Sequence, residues 1–352
     1  MPDNIPSDNR KAALLSREVT HIDITSFDAR PIVSAMEKMS FSSRDLGRAT
    51  EIYNNMLADK NCTIMLTLAG STSAGGCMDL YTDLLRYNMV DCVVATGASI
   101  VDMDFFEGLG FKHYHAGEQI DDDSLRRLGI DRIYDTYIDE EDLKACDNAI
   151  TEIADQMPAG VYSSRAFIDK MGRYLRDNGK KENSLVKLAV ERNVPIFCPA
   201  FSDSSAGFGL VKHQSKRIAR KEPYVSIDSV ADFRELTEIK IKAGTTGLLM
   251  IGGGVPKNFA QDTVVCAEIL GQDDVEMHKY AVQITVSDVR DGACSSSTLK
   301  EACSWGKVSL VQEQMVFAEA TTALPLLASD AYHRGAWRDR PEHRLSSLFN
   351  DG

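Results

Sequence analysis

The pattern that most constrains this chain is a short apolar strand running into a small-residue turn and then a helix, repeated along the sequence. Thr63–Leu68 reads as a buried strand, ends in Ala69–Gly76, and leads into a helix over Met78–Tyr87. Cys92–Ala95 ends in Thr96–Ser99 before a helix over Ile100–Leu109. Val194–Cys198 runs into Pro199–Gly207, and Gly247–Ile251 runs into Gly252–Gly254. Pro256 suits the first turn of the helix that follows, which reaches about Leu270. Ala281–Val286 and Val308–Val311 complete the strands. Further helices are expected over 31–58, Glu141–Met157, Ser164–Asn178, Ser184–Arg192 and Asp228–Ile241, with a last one from near Glu319. Strands that alternate with helices predict an α/β fold: one doubly wound parallel sheet with helices on both faces. The polar stretch 113–142 reads as an irregular loop, residues 1–20 as a mobile arm and 334–352 as a loose basic tail, leaving 21–333 as the domain.

In a parallel sheet the turns 69–76, 96–99, 202–207 and 252–254 share the carboxyl edge, where ligands bind. Glycines that expose backbone amides at helix starts suit phosphates. No strict G-x-G-x-x-G is present, so the generic dinucleotide signature adds little. Asp102, six residues past Thr96, is placed to hold a ribose hydroxyl. His113-Tyr114-His115 beside acidic residues has the residue types of a metal site, but a solvated loop is the better reading, and no metal is expected. A net charge of −13 argues against nucleic acid and suits cationic small molecules. Eight scattered cysteines without a C-x-x-C pair read as reduced thiols of a cytoplasmic protein. No signal peptide and no membrane-length apolar run is seen.

One further stretch carries chemistry: Glu301-Ala302-Cys303-Ser304-Trp305-Gly306-Lys307. A lysine between an indole and the start of an apolar strand is partly desolvated, which lowers an amine's pKa. An imine-forming lysine needs this, since only the neutral amine attacks. A nearby carboxylate would oppose the shift, so Glu301 fits better as a ligand for a substrate cation. The bland alternative has Trp305 filling core and Lys307 snorkelling to water, and spacing alone favours it.

These turns, together with Asn88-Met89-Val90-Asp91, Gly252-Gly253-Gly254-Val255, Asp291-Gly292 and Ser304-Trp305-Gly306-Lys307, closely resemble the deoxyhypusine synthase family from about Ser40 to Leu327. The resemblance reverses the bland reading of Lys307. It implies a single Rossmann-like domain in a homotetramer, with NAD and amine sites at dimer interfaces. It implies oxidation of spermidine with NAD, transfer of an aminobutyl group to a lysine as an imine, and its passage to an acceptor amine. Lys307 matches the imine-forming lysine, Trp305 the ring on the polyamine chain, and Glu301 an amine-binding carboxylate. Ser71, Thr96, Gly97, Asp102, Asp203, Gly252, Gly253, Asp291, Gly292 and Glu319 fall on NAD-contacting positions. Departures are confined to the amine pocket. Asn258 stands where the family has an acid–base histidine, Phe208 and Cys294 where it has aspartates, Gln283 where it has a tyrosine, and Asp262 where it has an asparagine. Asn258 and Asp262 are therefore expected to bind a remodelled substrate. The expected activity is an NAD-dependent aminobutyl transfer between polyamines. The alternatives are a homospermidine synthase-type enzyme with putrescine as acceptor, and an inactive NAD-binding relic.

Overall fold

Six parallel strands form the central sheet of the computed structural model, which describes residues 7–117, 120–290 and 297–349. Numbered within that sheet they are β1 (Thr63–Leu68), β2 (Cys92–Ala95), β3 (Ile196–Phe197), β4 (Thr246–Ile251), β5 (His278–Thr285) and β6 (Val308–Phe317). Their spatial order is β3-β2-β1-β4-β5-β6. Chain order therefore reverses between β1 and β4, the switch point at which doubly wound sheets bind ligands. Alternate side chains feed two cores, as strand geometry demands. Ile64, Leu66, Leu68, Val93, Leu249 and Val282 pack on helices Phe41–Ala58, Met78–Arg86 and Ala320–Arg334. Met65, Cys92, Val94, Leu248, Met250 and Ala281 pack on helices Ser229–Ala243 and Gly254–Gln261. Each fully buried Val, Leu, Ile or Met side chain among these contributes about 1.5–3 kcal/mol of transfer free energy. The expected fold class holds, with helices on both faces.

Several elements differ from the sequence reading, each for a local reason. The helix expected over 31–58 is two helices, Arg30–Met36 and Phe41–Ala58, because Ser40 is extended and restarts the chain. The helix after Gly254 breaks at Asp262, giving Gly254–Gln261 and Thr263–Ile269. A helix over Ser205–Ala219 carries little sequence signal, since Gly207 and Gly209 weaken its pattern. Gly209 is required there: a Cβ would meet Ile150 at 2.6 Å. Strand β6 extends to Phe317, masked in the sequence by Gln312, Glu313 and Gln314 on an edge strand. The stretch 113–142 is not an irregular loop. It holds a three-stranded antiparallel sheet (Tyr114–His115, Thr136–Asp139, Ile130–Ile133) and the helix Asp122–Leu128, around Leu125, Ile130 and Tyr137. His113 is spent on Glu107 at 2.7 Å, and no metal-holding cluster exists among the described residues.

The two ends are attached rather than loose over their described lengths. Residues Ser7–Leu14 form a helix, and Lys11 pairs with Asp139 at 2.7 Å. His21 meets the same Glu107 as His113, at 2.7 Å, and Ile22 donates its amide to Gly76. At the other end, the Arg340 guanidinium is buried, with 1% of its side chain exposed. It bonds Asp91 at 2.5 Å, the Cys62 carbonyl at 3.0 Å and the Asn88 carbonyl. Positive charge in the tail thus serves as an internal anchor, not as a solvated run. No helix among the described residues is long and apolar enough to cross a membrane.

Arg340→Ala leaves Asp91 buried without its cation, which costs roughly 3–5 kcal/mol. Urea titration should show a loss of that order, while Arg126→Ala, an exposed-pair control, stays within about 0.5 kcal/mol. Equal small losses for both would show that the tail is not anchored through Arg340.

Candidate functional site

The carboxyl edge of the sheet gathers the small-residue turns. The turn after β1 opens into a wide π-type turn over Ser73–Cys77, and the turn after β2 into another over Ala98–Phe105. Such widened turns recur at functional sites and leave no mark in the sequence pattern. Ser99 Oγ donates to the Gly70 carbonyl at 3.1 Å, tying the two turns together. Across the switch point, Ala69 donates its amide to Ile251 at 2.9 Å. Gly70 (φ +79°) and Gly254 (φ +62°) flank this point, and a Cβ at either would project into open space. Ser73 Oγ is buried there with no partner. Open glycine turns, helix-start amides and an orphan hydroxyl fit an elongated phosphate-bearing ligand.

The described residues among those expected to contact a dinucleotide lie along this edge. Ser71, Thr96, Gly252 and Gly253 are in the turns themselves, and Asp203 is exposed beside them. Gly97 is pressed against Ser204, where a Cβ would come within 2.5 Å of its hydroxyl. Asp102 accepts the Ser205 amide on Oδ1 at 2.7 Å, so one carboxylate oxygen orients the Ser205–Ala219 helix. Burial pushes its carboxyl up to about 6. Glu319 caps the last long helix, accepting from the Thr321 and Thr322 amides. Asp291, Gly292 and Cys294 lie outside the described residues. Phe208 sits on the Ser205–Ala219 helix and is 66% exposed.

The lysine pocket is elsewhere. Lys307 precedes β6, so its backbone lies at the amino edge of the sheet. Val308 pairs with His278, whereas Ile251 pairs with Ile284. The six residues of β5 between those levels span ~20 Å. Helix Gly254–Gln261 runs back down the face and brings Asn258 and Asp262 to the lysine. Lys307 Nζ is 2.5 Å from Asp262 Oδ1 and donates to Asn258 Oδ1 at 3.3 Å. Asn258 Nδ2 donates to Asp262 Oδ2 at 2.7 Å, closing a ring of three side chains. The ammonium also lies 5.5 Å from the centroid of the Trp305 ring. That ring is 67% exposed, so Trp305 does not fill core, and Lys307, 8% exposed, does not snorkel to water.

Two carboxylates expected to bind substrate already have partners in this pocket. Asp262 is engaged with Lys307. Glu301 is in a capping box, its Oε2 accepting the Thr298 amide at 2.6 Å, and that hydrogen bond holds its carboxyl low.

Two other lysines on the same face were missed as a group. Lys257 is fully buried, donates to the Ser297 carbonyl, and is pushed down to about 8 by desolvation. Lys240 donates to Thr246 Oγ1 at 2.8 Å and is likewise pushed down to about 8. Thr246 meets His278 Nδ1 at 2.8 Å, and His278 Nε2 meets the Ala260 carbonyl at 3.1 Å. The Ala260 carbonyl can only accept, so Nε2 carries the proton, and burial keeps the ring neutral. His278 also donates its amide to the Lys307 carbonyl at 2.9 Å. One histidine therefore ties the helix of Asn258 to the backbone of Lys307. Just past the lysine, the pairing of β6 is irregular between Val308 and Gln312, a bulge of the kind that re-aims side chains beside active sites.

Comparison with known proteins agrees with this architecture. The family model for deoxyhypusine synthase matches residues 31–331. A deoxyhypusine synthase-like protein of Coxiella burnetii is 67% identical over 347 residues, covering 98% of this chain and 97% of its own. A deoxyhypusine synthase-like protein of Caulobacter vibrioides is also 67% identical, covering 97% and 93%. A Methanosarcina mazei protein named "Probable deoxyhypusine synthase 2" is 39% identical, covering 91% and 92%. The crystal structure of a "putative deoxyhypusine synthase" from Entamoeba histolytica superposes with a TM-score of 0.59 at 20% identity, covering 92% of this chain and 99% of that one, a likeness of fold. By sequence over nearly its whole length, the chain belongs to the deoxyhypusine synthase family.

Proposed function

We propose that the protein is an NAD-dependent aminoalkyl transferase that moves an aminobutyl group between polyamines through an imine on Lys307. The observation that carries this reading is the Lys307 pocket: an amine almost withdrawn from water, met by a carboxylate and an amide, beside an exposed indole. A structural lysine would not need the exposed ring, which offers a π-face to a substrate's cationic chain. NAD, when bound, supplies the acceptor and later the donor of a hydride. Gly252, Gly253 and the amide-bearing start of helix Gly254–Gln261 would hold its phosphates, and Asp102 and Asp203 its polar groups. Ser71, Thr96, Gly97 and Glu319 would line the same edge.

Lys307's backbone and the glycine turns lie ~20 Å apart along the strands. Their separation favours a centre completed by a second copy of the chain. An exposed edge strand with Val311 81% exposed, and the uncovered Trp305, support such an assembly. The reading extends to a homotetramer built from such dimers. Within it, the acceptor is a small amine: Phe208 offers no charge to a spermidine-like cation, and Asn258 cannot titrate as a histidine would.

Incubation with NAD and labelled spermidine, putrescine and agmatine should yield a small-amine product by mass spectrometry, and Lys307→Ala should abolish it. Efficient labelling of a translation-factor lysine with no small-amine product would point instead to protein modification. Absence of any product or NADH signal would favour the relic. Asp203→Lys reverses a charge at an exposed position, and a lost charge-assisted hydrogen bond is worth about 1.5–3 kcal/mol. Calorimetry should show NAD affinity falling at least about tenfold with the melting temperature unchanged; an equal affinity would remove Asp203 from the site. Mixing exchanged Lys307→Ala and Asp203→Lys chains should restore activity, and an active monomer by light scattering would refute the shared site.

A further inference from the structure

Lys307, Asp262 and Asn258 have the connectivity of a nucleophile, its base and the group that orients the base. The base sits 2.5 Å from the nucleophilic nitrogen through Oδ1. Its other oxygen is fixed by the Asn258 amide at 2.7 Å, so Oδ1 is the one presented to Nζ. Asn258 also accepts from Nζ at 3.3 Å, aligning the nitrogen with the carboxylate. Asp262 occupies the joint between helices Gly254–Gln261 and Thr263–Ile269, a position where its carboxylate is not needed as a cap by the helix that follows it.

We infer that Asp262 is the catalytic acid–base partner of Lys307. This rests on the imine chemistry proposed above and adds the residue that moves its protons. The Lys307 ammonium gives a proton to Asp262, and the freed lone pair forms a bond to the carbon of a donor-derived iminium, R′–CH=NH⁺–R″. The bond from that carbon to the R″ nitrogen breaks while a second Nζ proton leaves through the same carboxylate. The departing nitrogen collects both protons and leaves as R″–NH₃⁺, and Lys307 is left as R′–CH=NH⁺–Lys. Nothing is oxidised or reduced in this step, and Asp262 ends as the carboxylate it began as.

Other groups facing the nitrogen are poorer candidates. Lys257, on the same helix, donates to the Ser297 carbonyl, and as an ammonium it has no lone pair with which to accept. Glu301, on helix Leu299–Ser304, has one oxygen committed to the Thr298 amide and lies exposed. Asn258 does not titrate. Both ring nitrogens of His278 are engaged, by Thr246 and Ala260. Asp262 is also the more open member of the pair, with 29% of its side chain exposed against 10% for Lys307. A leaving amine therefore meets the carboxylate on its way out.

The test uses the full chain and a probe that needs neither NAD nor a natural amine. Butyraldehyde with cyanoborohydride is applied from pH 6 to 10, and labelling of Lys307 is followed by peptide mass spectrometry. Wild type should label Lys307 at neutral pH. Asp262→Asn should label it roughly 10²-fold more slowly at pH 7, the scale of general-base catalysis, and approach wild type as pH rises and free amine accumulates. Asp262→Glu should recover part of the rate. In turnover with the responsive amine, Asp262→Asn should lower kcat about 10²–10⁴-fold with KM little changed. If Asp262→Asn does not fold, Asn258→Ala, which frees Oδ2, carries the test with a loss of about tenfold in labelling. Labelling by Asp262→Asn at the wild-type rate, or faster at pH 7, would overturn the inference, the latter by showing that Asp262 merely holds Lys307 cationic. Lys307 labelling that depends on Asp262, in a protein that turns over no amine, would sink the proposed function and leave the acid–base pair standing.

Discussion

Parallel pairing of β1 with β4 is the constraint on which the rest depends. Thr63–Leu68 lies against Thr246–Ile251 in unbroken register, although nearly two hundred residues of chain separate them. Because the pairing is parallel, both strands emerge on one edge, and the turns at Ala69–Gly76 and Gly252–Gly254 become neighbours without further device. A slip by one residue would exchange the faces, sending Ile64, Leu66 and Leu68 into the core that holds Met65 and Met65 into theirs, so the packing of both cores opposes it. Gly70, Gly252 and Gly253 inherit their positions from this one pairing.

Three lysines on the face of β4 and β5 show how the fold treats a buried ammonium. Withdrawing such a charge from water costs several kcal/mol unless it is paired. Lys240 rests on neutral oxygens of Thr246 and Gly244, Lys257 donates to the Ser297 carbonyl, and desolvation pushes both down to about 8. Lys307 is met directly by a carboxylate, that of Asp262 at 2.5 Å. That carboxylate is supplied by the break at Asp262, and the break is held in place by Ala260, His278 and the Lys307 backbone. The packing that holds Lys307 and the chemistry proposed for it therefore meet at the same few atoms.

Most of the sheet was legible because its strands are short apolar runs closed by glycine, a pattern that local chemistry imposes. Lys307 and Trp305 were legible only through the family resemblance, since spacing alone favoured a core tryptophan and a surface lysine. What escaped was decided by partners distant in sequence. The ion pair of Asp262 with Lys307 joins residues on two different elements, and nothing at either position announces it. Arg340 looked like tail charge until Asp91 was brought beneath it. The sheet over 113–142 was hidden by polar residues on its open side, and helix Ser205–Ala219 by glycines that its packing against Ile150 requires. Glu301 was read for its charge, whereas Thr298 three residues earlier signalled a capping box.

The central claim is that Lys307, among all the lysines of this chain, carries the transferred group. It is tested most directly by adding borohydride during turnover with NAD and the donor amine, then mapping the adduct by peptide mass spectrometry. The account predicts one stable aminobutyl-type adduct, on Lys307, absent without NAD. An adduct on Lys257 instead, or steady product formation with no adduct on any lysine, would contradict it.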